Sequence, residues 1–100
     1  MNLRKLRRCE QRLAKLRRSV PSAKQLEGLA TSLGRKRVKR GKEPTWESMA
    51  FSNLRPVSIP RHSSNLNKFT AGSILNQLEE DIFRYKEMLE SGGQDDAEDA

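Results

Sequence analysis

Few side chains in this sequence are suited to moving protons at neutral pH. His62 is its single histidine, and an imidazole titrates close enough to neutrality to act as acid or base. Glu43, ionised at an ordinary carboxylate pKa of about 4.3, can accept a proton but not supply one. Arg40 and Lys42 lie close to Glu43 in sequence, and Arg61 precedes His62. Metal-free cleavage of RNA needs a base for the 2′-hydroxyl, an acid for the leaving oxygen and cations on the phosphate. These residues could supply all three, provided the 41–46 turn meets the end of the strand that carries His62. Each also has a plainer reading. Glu43 is then a turn carboxylate paired with a neighbouring Lys or Arg, and His62 a loop histidine bonded to backbone.

Other chemistries find no support. The lone Cys9 has no partner for an internal disulfide, and with a single histidine it cannot build a zinc site. It reads as a small apolar residue on a helix stripe. Ser19, Ser22, Ser63 and Ser64 lack the Gly-x-Ser-x-Gly turn of a nucleophile, and no phosphate-cradling Walker loop is present. No cofactor is therefore expected. No run of 18 apolar residues exists, so no transmembrane helix is expected either. The basic N-terminus has no apolar stretch, which argues against a secretory signal and for a bacterial-type cytoplasm.

Charge supplies the next clue. The net charge is +7, and it is unevenly laid out. Residues 1–42 hold fifteen Lys and Arg against Glu10 and Glu27, a net +13. Residues 43–100 carry a net −6. So dense a basic half attracts polyanions, nucleic acid first and anionic membrane second. A basic surface kept only for solubility would not need so one-sided a layout.

The elements that must position these residues follow from periodicity. Leu6, Cys9, Leu13, Leu16 and Val20 recur at spacings of three and four, predicting a basic amphipathic helix over 3–20 that Pro21 ends. Such a helix can lie on RNA, on a membrane or in a partner's groove, or simply cover its own core. A second helix is predicted over 22–34, with a Ser22–Gln25 capping box, an inward face of Leu26, Leu29, Ala30 and Leu33, and Gly34 as its stop. Strands are predicted at 35–40, 46–52 and 55–61. Val38 would anchor the first, sending Arg37 and Lys39 away from the core. Trp46 reads as core or edge cover, or as a platform on which an RNA base stacks. In the third strand Val57 and Ile59 share one face, and Pro60 marks an edge or end. A polar loop over 62–68 leads to a last helix over 70–89, striped by Ala71, Ile74, Leu75, Leu78, Ile82, Tyr85 and Leu89, with Glu79, Glu80 and Asp81 on its outer part.

The closely spaced strands call for an antiparallel sheet, and helices on one face of it make an α+β sandwich. One hundred residues amount to one domain, burying only about 60% of the unfolded surface. Residues 1–21 read as a basic N-terminal helix, 22–90 as the domain, and 91–100 as a disordered acidic tail.

From Ser22 to about Leu78 the chain resembles the HicA family, the small RNA-cleaving toxins of HicA–HicB toxin–antitoxin pairs. Four pieces carry the resemblance. Ser22-Ala23-Lys24-Gln25-Leu26 resembles the family's opening helix. Lys39-Arg40-Gly41-Lys42 followed by Trp46 resembles its R-x-G-S-H-x-x-W/F hairpin. Val57-Ser58-Ile59-Pro60-Arg61-His62 resembles its V-x-[IV]-P-x-H strand end. Leu66, Thr70, Ser73, Ile74 and Leu75 fall where its last helix reads L-K-P-G-T-L-R-S-I-L. The resemblance implies a double-stranded-RNA-binding-domain-like α-β-β-β-α fold, to which the N-terminal basic helix is an addition. It also implies an mRNA interferase that works without metal and is neutralised by a HicB-like antitoxin. The sequence departs from the pattern in the hairpin. Lys42 takes the place of the serine and Glu43 that of the catalytic histidine.

Three functional readings follow. In the first, a HicA-like toxin grips mRNA with Arg37, Lys39, Arg40, Gly41, Lys42, Trp46 and Arg61 and cleaves it with His62 and Glu43. In the second, the same fold binds RNA or DNA without catalysis. In the third, Leu3–Val20 and Ile74–Leu89 are partner helices of an oligomer.

Overall fold

The computed structural model describes residues 1–39, 44–60 and 66–91. Six elements run in the order α1 (Leu3–Arg17), α2 (Ala23–Ser32), β1 (Arg35–Lys39), β2 (Pro44–Ser48), β3 (Val57–Ser58) and α3 (Lys68–Glu90). The fold is α+β. The three strands form an open antiparallel sheet in the order β1-β2-β3.

Local chemistry sets most of the boundaries. The Asn2 side chain accepts from the Lys5 amide and starts α1. The helix stops at Arg17, short of Val20, which is exposed. Ser22 and Gln25 close a full capping box at the head of α2. Gly34 follows the α2 C-cap with φ of +84°, where a side chain would be strained. α3 begins two residues before the position expected from apolar spacing, because Asn67 caps it by accepting from the Thr70 amide. Pro44 opens β2 rather than lying in the turn, a position that asks for no ladder N–H. β2 stops at Ser48 instead of Ser52, where the Ser48 hydroxyl accepts from the Phe51 amide and turns the chain. β3 is shorter than the 55–61 span suggests. Beyond it, the Ile59 amide still reaches the Pro44 carbonyl at 3.3 Å.

One hydrophobic core draws on α1, α2, β2, β3 and α3, and β1 adds only the buried Arg35 beside it. Leu6, Leu26, Leu29, Leu33, Val57, Ile59 and Leu78 are fully buried in it. α2 and α3 cover one face of the sheet, and α1 packs along α3 and against α2. Glu10 pairs with Lys86 and Arg17 with Glu79, so α1 and α3 run antiparallel. Both pairs are partly exposed, where an ion pair contributes about 1 kcal/mol or less.

Two sequence expectations are corrected here. Val38 is not the inward anchor of β1. The register places Arg37 opposite the buried Trp46, and directly opposed residues share a face. Arg35, Arg37 and Lys39 therefore belong to the helix-packed face, while Val38 is half-buried on the other. Asp81 is not on the outer part of its helix either. It is 0% exposed and meets Arg35, which is 4% exposed.

Candidate nucleic-acid interface

Among the residues expected to bind RNA, Arg37, Lys39 and Trp46 can be placed. Arg37 and Lys39 are exposed, although they share the inner face of the sheet. Arg35 lies on that face at the other end of the strand, where the core covers it. Trp46 is 8% exposed and belongs to the hydrophobic core, so its ring is cover for that core and not an open platform for a base. Among the described residues its indole N–H finds no acceptor. Arg40, Gly41, Lys42, Glu43, Arg61 and His62 lie outside the described residues, and with them the proposed acid and base.

Arg35 is withdrawn from the basic strand by its own bonds. Its Nε and Nη2 donate to the two Asp81 oxygens at 2.7 and 2.8 Å. Its Nη1 donates to the Trp46 carbonyl at 2.8 Å and the Arg55 carbonyl at 3.0 Å. A planar fork suits this arrangement, which joins β1, β2, the segment after β2 and α3. It leaves the guanidinium no face for a phosphate.

The cations that remain outward are concentrated on α1. Every Arg and Lys of this helix is exposed, while Leu6, Cys9, Leu13 and Leu16 are buried. The apolar stripe thus covers the protein's own core, and only the basic side faces solvent. Burial pushes the Cys9 thiol pKa up, with Arg12 opposing the shift, so the thiol is protonated at neutral pH. Two adjoining clefts follow the seam between α1 and α2. One, of about 680 Å³, is lined by Lys5, Arg8, Arg12, Lys15, Thr31 and Ser32 among others. The other, of about 420 Å³, shares Arg12 and Lys15 and adds Lys24 and Gly28. Arg12 is steadied there by donating from Nη1 to the Ser32 hydroxyl at 3.3 Å. Sequence reasoning saw a basic helix but not this trough. The 3-4-3 spacing of Lys5, Arg8, Arg12 and Lys15 marks one side of a helix and was the available signal.

Among the described residues no three His, Cys, Asp or Glu side chains gather as metal ligands would. Among them, too, no helix is long and apolar enough to cross a membrane.

No protein-family model, curated protein or solved structure matches this chain.

Proposed function

We propose that the chain is a HicA-like protein that binds RNA through its basic surface and is held in check by a HicB-like antitoxin. The order α2-β1-β2-β3-α3 supports this, being the helix–three strands–helix order that the resemblance implies for a double-stranded-RNA-binding-domain-like fold. The observation that carries the reading is the disposition of α1. Its apolar stripe is buried while all its cations point outward. A membrane-surface helix needs that stripe for the lipid, whereas a polyanion in solution needs only the charge.

Arg37 and Lys39 add to the basic surface, and an antitoxin covering it would both block RNA and neutralise charge. Cleavage is what the HicA resemblance adds, with His62 as acid and Glu43 as base. Labelled mixed RNA incubated in EDTA, with the wild type and with a His62→Ala, Glu43→Ala double variant, tests both parts. The proposal expects both proteins to bind. Cutting by the wild type alone would assign proton transfer to this pair. Intact RNA with both would make the chain the non-catalytic binding module of the same fold. Absence of binding by the wild type would refute the proposal.

A further inference from the structure

We infer that the trough between α1 and α2 is a binding site for the sugar-phosphate backbone of a nucleic acid, with Lys5, Arg8, Arg12 and Lys15 as its cation row and Lys24 on its far wall. The inference rests on the nucleic-acid part of the proposed function and places it on a surface outside the HicA-like hairpin.

The first turns of the helix are built against its stability to present this row, whereas Lys15 and Arg17 in its last turn suit the dipole. Its first turn contains no acidic residue and holds Arg4 and Lys5, where the helix dipole favours carboxylates. Lys5 and Arg8, Arg8 and Arg12, and Arg12 and Lys15 are like-charged neighbours at three- and four-residue spacing, an arrangement that destabilises a helix. Local choices that oppose the fold mark a surface kept for another purpose.

The geometry suits a phosphate chain. Ten residues separate Lys5 from Lys15, about 15 Å along the helix. One strand of a duplex presents about four phosphates over such a length. The α2 wall is lined by the small side chains of Thr31 and Ser32, whose hydroxyls donate to the Glu27 and Gly28 carbonyls, and Lys24 lies further along the same seam as a further cation. Arg12, at the junction of the two clefts, is already oriented by Ser32.

The lining also favours a polyanion over an apolar protein segment as the occupant of the trough itself. Protein interfaces centre on buried aromatic or aliphatic anchors. This trough offers cations, hydroxyls and two glutamines, Gln11 and Gln25, with Cys9 and Leu16 buried at its base. Protein–nucleic acid interfaces have that polar, strongly positive character.

The test measures binding of one sequence as single-stranded RNA, duplex RNA and duplex DNA, with phosphatidylserine vesicles as a further arm. Wild type is compared with an Arg8→Gln, Arg12→Gln, Lys15→Gln triple variant and with an Arg37→Gln, Lys39→Gln variant. All five positions are exposed, and Gln is a good helix former at the three on α1, so thermal melts should show that folding is kept. For single-stranded RNA the slope of log K against log salt should shrink by about 2 in the triple variant. Wild-type binding with an unchanged slope in that variant would overturn the trough and leave the RNA reading standing. The same loss of slope on DNA, with no RNA bound, would keep the trough and overturn the RNA reading. Binding to vesicles alone would overturn both.

Discussion

Arg35 and Asp81 meet fork to fork in the interior, forty-six residues apart in sequence, with neither side chain reaching solvent. Burial pushes the Asp81 carboxyl above the ordinary range, and the two hydrogen bonds from Arg35 oppose that shift. Removing one partner leaves the other buried and unpaired, a change that costs about 3–5 kcal/mol. Arg35→Met and Asp81→Leu should each lower stability by that much in urea melts. The double variant should recover part of the loss, because the Trp46 and Arg55 carbonyls still lose their donor. Strictly additive losses would contradict the pairing.

Gly34 sets the bend from α2 into the sheet. A Cβ there would lie 2.9 Å from the Tyr85 hydroxyl, which donates to the Leu33 carbonyl at 2.9 Å. Gly34→Ala should therefore cost roughly 2 kcal/mol, from the left-handed backbone and the displaced hydroxyl together. Combining it with Tyr85→Phe should cost less than the two single losses added, as a denaturant cycle would show.

How far the fold was legible depended on how local its causes are. The Ser22–Gln25 box and Gly34 act within a few residues and can be read directly. The face of β1 could not be, because Arg35 is inward only through a partner on α3. The phase of Asp81 held a clue. It lies three residues after Leu78 and four before Tyr85, in step with the buried stripe. Its charge suggested solvent, and the Arg35 fork is what overrides that. The start of α3 was missed for a different reason, since Asn67 sits in a polar stretch that reads as loop. The outward cations of α1 were legible as a helix side, but the α2 wall opposite them is tertiary. The acid and base expected at His62 and Glu43 lie outside the described residues.

Leu6 tests whether α1 belongs to the core in solution. It is fully buried among the helices. Leu6→Ala should cost about 3 kcal/mol, within the usual span for a buried leucine, and lower the midpoint of a single cooperative transition. A change below 0.5 kcal/mol would mean that α1 does not dock as described.

Cys9 reports on the same docking through its chemistry. Buried and with its pKa raised, it should resist iodoacetamide at pH 8 in the native protein and react fully in denaturant. The unfolded thiol ionises first, so the contribution to stability is full below about pH 8.5 and declines as pH rises toward the folded value. Rapid native labelling would contradict a docked α1.

The central claim is that this basic surface holds RNA. Its most direct test is the anisotropy of a labelled 20-nucleotide RNA titrated with the wild-type protein in EDTA, between 50 and 200 mM salt. With about four phosphates neutralised on a single strand, affinity should fall about fifty-fold across that range. Saturable binding with that steep salt dependence is the predicted result. No binding at 50 mM salt, or binding indifferent to salt, would contradict the account.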